Sequence, residues 1–516
     1  MATVALHSPA GKWVLVSAIL ASSMAFIDST ALNVALPSLQ RSLNATGPDL
    51  FWLLNAYLLI LAALILVGGS LGDRIGRKKV FMTGILVFIA GSAACGFAPT
   101  ILVLIISRIM QGVGGALMIP GSLSLISSSI NENERGKAIG TWSMFSTMVT
   151  VGGPILGGAL ADAGLWRYIF FINVPIGIVA LIILWFKVAE TRDADGGRAI
   201  DIPGSAAIAL GLALITFGFL RIPAAGFGNP QVYLTLAGGI GMLIAFIYIE
   251  KTSKHAMMPL SLFSNPTFSG VNLLTFFLYA GLGSGMLFVS LDMIQEQRYT
   301  QLQAGLTFLP FTILMILISR FAGSLADQFG PRLLLILGPA TAGIGLLMLS
   351  FIGKEAQGVG NYFKTFFPGI VTLGLGMSFT VAPLTTTVMS SVSDHFSGTA
   401  SGVNNALTRV SNVFANAIFG TLAVLFFAGA LQKQLAGQPS MPAKTKQYIL
   451  AQAANLGDAK LPPGLKDDKG RMVNLYRNGF AEAYSKIMKL SGGLALLGAL
   501  VTVIFIRDST VKRNKK

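Results

Sequence analysis

The chain has 516 residues, of which 53% are hydrophobic and only 11% charged, and its mean hydropathy is +0.71. That balance excludes a string of soluble domains and describes a polytopic membrane protein. Lys and Arg exceed Asp and Glu by 37 to 21, but they lie between apolar runs, which excludes the nucleic-acid partner that a basic chain invites. The single cysteine, Cys95, excludes an intramolecular disulfide, and His7, His255 and His395 are too scattered for a metal site.

Apolar runs of about 20 residues, enough to cross a bilayer, centre on 13–37, 51–71, 79–98, 100–122, 136–161, 166–188, 203–222, 231–250, 267–292, 303–324, 332–352, 365–390, 400–430 and 487–506. The first follows Lys12 like a signal peptide, but it continues through Asp28 to Pro37 without a small-residue cleavage site and reads as a retained helix. The runs at 203–222 and 231–250 have the look of an inserted pair. The polar segment from about 431 to 486, with its Pro and Gly, reads as an external excursion containing a hairpin or short helices. Lys and Arg gather in alternate loops, while the short loops opposite hold only Arg41, Arg167, Arg221, Arg298, Lys354 and Lys364. With positive loops inside, both termini are expected to be cytoplasmic.

In chain order, the first polar position of note is Asp28, the only acid of the first run. A carboxylate there costs about 2.5–3.5 kcal/mol on insertion scales, so it needs water, a proton or a partner; a structural carboxylate capped by Ser29, Thr30 or Asn33 is the plain alternative. Gly68–Lys79 packs Arg74, Arg77, Lys78, Lys79 and Asp73 between two uncharged runs, with glycines at 69, 72 and 76. A basic inner loop explains the cations but not Asp73, nor the partial copy at Gly323–Arg332, which indicates an internal duplication.

Arg108 lies in an apolar run with Gln111 and Gly112 and needs an internal partner: Asp28, a helix carboxyl end or backbone carbonyls. Gly152–Gly158 places Pro154 among glycines, a bend that serves as hinge, seal or packing notch. Asp292 and Glu296, one helical turn apart, share a face at the end of the ninth run, with Arg298 nearby as the neutralising charge. Arg409 in the thirteenth run poses the same question as Arg108. There is no Gly-x-x-x-x-Gly-Lys-Ser/Thr, His-Glu-x-x-His or Gly-x-Ser-x-Gly, so enzymatic chemistry has no visible home.

These motifs together resemble the major facilitator superfamily, and within it the fourteen-span drug:proton antiporter family. Gly69–Lys79 is similar to its loop motif between spans two and three, Asp28–Pro37 to its first-span motif, Arg108 with Gln111 and Gly112 to its fourth-span motif, and Gly153-Pro154-x-x-Gly157-Gly158 to its fifth-span antiporter motif. Trp166–Gly177 and Asp201–Gly204 resemble signatures of the fourteen-span branch. Val149 stands where the longer antiporter pattern has glycine, and Asp292 and Arg298 stand where relatives usually carry apolar residues or glycine.

The resemblance implies an all-α polytopic membrane protein with the major facilitator fold: a six-helix bundle in 1–188, two extra helices in 189–266, and a second bundle in 267–516 that includes the external segment. It further implies a proton-coupled exporter of lipophilic, often cationic compounds, working by alternating access around a central cavity. Asp28 and Arg108 would couple protons; Asp292 is the third candidate, as an acid deep in an apolar run and not through the resemblance. Gly69, Asp73, Arg74, Gly76 and Arg77 would latch one state, and Gly153, Pro154, Gly157 and Gly158 would hinge. Asp28, Asn33, Trp52, Tyr57, Gln111 and Arg409 are the candidate cavity residues. No cofactor is expected beyond the proton gradient; the expected partners are the bilayer, substrate and protons, with no nucleic acid, for a monomer of a bacterial inner (plasma) membrane. Export of a lipid or amphiphilic metabolite is the alternative cargo, and a sensor or assembly partner acting through 431–486 the alternative class.

Overall fold

Inside a bilayer every backbone polar group must find a partner within the chain, so apolar runs of this length fold as helices. The computed structural model describes residues 4–191, 201–253, 256, 258–352, 359–392, 397–438, 441–462 and 469–506, and no strand occurs among them. Fourteen helices among the described residues are long and apolar enough to cross a membrane, one for each expected run.

The helices are α1 (Pro9–Leu43), α2 (Gly47–Ile75), α3 (Arg77–Phe97), α4 (Ile101–Ser129), α5 (Glu132–Asp162), the short α6 (Tyr168–Phe171), α7 (Asn173–Lys187), α8 (Ile202–Ala225) and α9 (Pro230–Thr252). They continue with α10 (Pro266–Leu291), which runs into a π-helical turn at Asp292–Glu296, α11 (Gln301–Thr307), α12 (Leu309–Phe329), α13 (Pro331–Leu349), α14 (Phe366–Ser390), α15 (Ser397–Ala436), α16 (Ala443–Ala451), a 3-10 turn at Gln452–Asp458, and α17 (Lys469–Phe505). Polar side chains fix several starts: Ser8 caps α1 by accepting from the Gly11 amide, and Thr100 caps α4 by accepting from that of Val103.

The chain falls into two compact units. The first comprises Met1–Asn44, Trp52–Phe217 and Tyr233–Pro259; the second comprises Ala45–Phe51, Gly218–Val232 and Leu260–Lys516. In the first unit α3 lies along α4 and α1 along α5. The second approach is close because Gly153 and Gly157 face Thr30 and Ala31 of α1, where a Cβ would collide with the Thr30 hydroxyl or the Ala31 carbonyl. Ala31, Ala35, Ala161 and Ile169 close a small core beside them. In the second unit α10 packs on α15 and α17, and α13 on α14 and α17.

The polar excursion is shorter than its sequence led us to expect. Within 431–486, α15 continues to Ala436 and α17 begins at Lys469. The reason is amphipathic: Met472, Leu475, Tyr476, Phe480, Ala483, Tyr484 and Ile487 are all buried, at the three- and four-residue spacing of one helix face. Between these helices lie α16 and the 3-10 turn, in which Leu456 takes a left-handed conformation at φ 52°.

Candidate functional site

Asp28 and Arg108, on α1 and α4, form an ion pair in the first unit, with the Arg108 guanidinium donating to Oδ2 of Asp28. Asp28 is 0% exposed and Arg108 1%. Gln111, one turn beyond Arg108 on the same face, ties the pair together: its Oε1 accepts from Arg108 at 2.9 Å and its Nε2 donates to Oδ1 of Asp28 at 3.1 Å. The sequence offered three partners for Arg108, and the structure selects Asp28. Ser29 and Thr30 do not cap that carboxylate; both hydroxyls donate instead to the Phe26 carbonyl.

Further residues that the sequence did not single out complete this nest. Ser92 on α3 accepts from Gln111 at 3.1 Å and from Asn173, at the start of α7, at 2.9 Å, while donating to the Phe170 carbonyl at 2.8 Å. The Cys95 thiol donates to Gln111 Oε1 at 3.3 Å. Gly91 makes room for this, since a Cβ there would lie 2.8 Å from the Gln111 nitrogen. The face of Tyr57 lies 4.4 Å from the Arg108 guanidinium carbon, a cation–π contact in a dry site. One guanidinium balances one carboxylate, so the nest is neutral. A proton on Asp28 would leave Arg108 as its only charge, and Gln111 can bond either state of the acid.

The Pro154 stretch of α5 touches the same part of α1, because Gly153 and Gly157 pack on the residues two and three positions past Asp28. Pro154 is half-buried and Gly158 buried. Asn33, a little over a turn past Asp28, is half-buried. Trp52 is half-buried too, its ring 6.5 Å from that of Phe217.

The side chains of Asp73 and Arg74, and of Ser324 and Asp327 in the second copy, lie outside the described residues. Gly69 is half-buried within α2. Gly76 sits at φ 129°, a conformation that glycine accommodates, and a Cβ there would lie 2.8 Å from the Glu190 carboxylate. Glu190, which the sequence reading passed over, accepts from the amides of Lys78 at 2.9 Å and Lys79 at 3.1 Å. It thus places an anion at the positive end of α3. The Arg77 amide donates to the Thr191 carbonyl at 2.8 Å.

In the second unit Asp292 and Glu296 occupy the π-helical turn, both buried. Arg298, expected to neutralise them, is exposed, with its backbone at φ 60°. Arg477 of α17 serves instead, 3.3 Å from Glu296 Oε2. Arg409 is half-buried on α15 and interacts electrostatically with Tyr279 of α10. Nearby, the Asn404 amide donates to Asn272 at 3.0 Å and to Thr275 at 2.8 Å. Before α14, the Tyr362 hydroxyl donates to the Thr307 carbonyl at 2.7 Å; burial pushes its pKa up to about 12, which keeps it a donor. Among the described residues no group of His, Cys, Asp and Glu could hold a metal.

Comparison with known proteins bears on the family and the fold. The family model of the Major Facilitator Superfamily matches residues 18–416. Among curated relatives, the chain is 30% identical to the puromycin resistance protein pur8 of Streptomyces alboniger, over 85% of this chain and 86% of that one. It is 29% identical to the multidrug resistance protein Stp of Mycobacterium tuberculosis, over 83% and 78%. To the tetracenomycin C resistance and export protein of Streptomyces glaucescens it is 27% identical, over 93% and 89%. Among solved structures, a bacterial homolog of the human lysosomal transporter Spinster aligns at TM-score 0.67 and 18% identity over 96% of this chain and 97% of that one, a likeness of fold.

Proposed function

The chain belongs to the Major Facilitator Superfamily, a transporter and not an enzyme, and on that premise we propose that it exports lipophilic, often cationic compounds in exchange for protons. The drug-resistance names of its relatives support the cargo. The coupling reading rests on one observation above all: a buried carboxylate whose only ionic partner among the described residues is an equally buried arginine, on helices joined by Gln111. Protonation of Asp28 cancels the attraction that holds Arg108, and loss of the proton restores it. Because α5 packs on α1 beside Asp28 through Gly153 and Gly157, a change at the carboxylate reaches directly a helix that Pro154 deprives of a backbone hydrogen bond.

In this reading the gradient alone drives transport by alternating access, each charge contributing about 2.3 kcal/mol per 100 mV, without a cofactor. In chain order, a six-helix bundle in 1–188 is followed by two extra helices in 189–266 and a second six-helix bundle in 267–516. The chain is a monomer of the bacterial inner membrane with both termini in the cytoplasm. Gly69 to Arg77 acts as the latch, with Glu190 holding the start of α3.

A second cargo is favoured by a cavity of about 700 Å³ among α10, α15 and α17, apolar throughout except for Lys489 and lined by residues such as Phe276, Phe414, Ile418 and Leu494. It suits the chain of an amphiphile with an anionic head. Proteoliposomes with an imposed pH gradient, challenged with fluorescent dyes, quaternary ammonium compounds and lipids, decide between the cargoes. Gradient-driven flux that Asp28→Asn abolishes is expected. Flux indifferent to the gradient would end the antiport reading.

A further inference from the structure

The π-helical turn at the end of α10 carries a charge imbalance that the nest around Asp28 lacks. Asp292 is 1% exposed and Glu296 5%, yet among the described residues only one cation, Arg477, reaches them. That cation is committed to Glu296, through its Nε to Oε2 at 3.3 Å and its second nitrogen to the Glu296 carbonyl, also at 3.3 Å. Asp292 has one weak neutral donor, the Gln297 amide at 3.2 Å to Oδ2, while its Oδ1 is buried without a partner. Two phenols complete the surroundings. Tyr484 of α17 and Tyr299 beyond the turn lie within electrostatic reach of Asp292; Tyr484 is 1% exposed and Tyr299 3%, and both hydroxyls are buried without partners. The titratable and charged groups facing Asp292 are therefore Glu296, Tyr299, Arg477 and Tyr484.

A buried carboxylate with a bare oxygen and no cation of its own is costly unless it is neutral. Two carboxyls and one guanidinium balance only if the trio holds one proton. We propose that Asp292 is a second proton-binding site of this chain, loaded while Arg477 is engaged by Glu296 and emptied when Arg477 transfers to Asp292. The inference rests on the antiport reading for its use in transport, but not for its existence. The proton leaves Asp292 as Arg477 takes its place, and the freed Glu296 then accepts a proton, so the trio stays neutral in either arrangement. A π-helical turn suits such an exchange, because its i→i+5 hydrogen bonds interrupt the regular i→i+4 ladder of α10. The 3-10 turn of the polar excursion lies against it: a Cβ on Gly457 would meet the Gln295 side chain at 2.6 Å. That gives the excursion a task, closing the end of α10 over the acid pair.

Infrared spectra of the purified chain in detergent at neutral pH test this without any substrate. We expect a protonated-carboxyl carbonyl band that shifts when aspartate is supplied with a 13C side-chain carboxyl, persists in Asp28→Asn and disappears in Asp292→Asn. Glu296→Gln is the decisive variant: it frees Arg477 for Asp292, so the aspartate band should vanish although Asp292 is intact. Arg477→Met should instead add a second band, one that does not shift with labelled aspartate. Absence of a labelled-aspartate band from the unsubstituted chain overturns the proposal whatever the variants do, as does a band unmoved by Glu296→Gln. Either result leaves the antiport reading standing on its flux assay, and loss of gradient-driven flux leaves this spectroscopic site standing on its own.

Discussion

Two buried acids in this chain are held in opposite ways. Asp28 has a guanidinium to itself and a donor from Gln111 besides, whereas Asp292 stands beside Glu296 with one arginine for both and an oxygen unmet. Burial is nearly complete in each case, so burial alone says little about what an intramembrane acid does. Whether the local charges cancel without a proton is the informative property.

The largest effect separating the two should come from their arginines. Arg108→Met leaves Asp28 buried and uncompensated, at an expected cost of about 3–5 kcal/mol, read as a large fall in melting temperature in detergent. Adding Asp28→Asn should restore most of the melting temperature and none of the transport. Arg477→Met should cost far less, because the Arg477 side chain is 18% exposed and its contact with Glu296 is long, at 3.3 Å. Equal falls for the two arginines would erase the contrast.

Next comes the helix contact that gives Asp28 its neighbour. Gly157→Ala drives a methyl toward the Ala31 carbonyl and should cost about 1–3 kcal/mol along with gradient-driven flux. Gly152→Ala meets nothing within 4 Å and should stay within about 0.5 kcal/mol of the parent. If both are silent, α5 does not transmit from α1.

Smaller still is Glu190→Gln, which weakens the anion at the start of α3; a loss of about 1 kcal/mol in melting experiments is expected. The smallest concerns Glu482→Gln. Its bridge to Lys486 spans 2.8 Å, but the side chains are 40% and 45% exposed, so the change should stay within about 0.5 kcal/mol. A larger loss would mean that the exposed ion pair on α17 matters as the buried one does.

Much of the fold was legible because span length, Lys and Arg placement and glycine clusters are local properties of the sequence. Asp28, Arg108 and Gln111 were legible for a related reason, since polar groups in apolar runs stand out. Ser92 and Asn173 did not: both are small polar residues tolerated anywhere on a membrane helix, and only packing shows that they bond one another. Glu190 was hidden in a charged tail, and its partners lie more than 100 positions earlier. Arg477 is 181 residues from Glu296, beyond any local pattern, while Arg298 was the nearer and wrong choice. The early start of α17, by contrast, was readable in the spacing of Met472, Tyr476, Phe480 and Tyr484, had the polar residues between them not drawn the eye.

The lone thiol has a practical consequence. Cys95 is 0% exposed, with its hydrogen directed at Gln111, so maleimides and other bulky reagents should find the folded chain inert. Single cysteines can then be introduced for spectroscopic labels without first deleting the native one. Deleting it would be the poorer design, since Gln111 would lose a donor at the ion pair. Conversely, any state in which Cys95 becomes reactive is a state in which the nest around Asp28 has come apart. The unmodified protein thus carries a built-in chemical alarm for the opening of its own first unit.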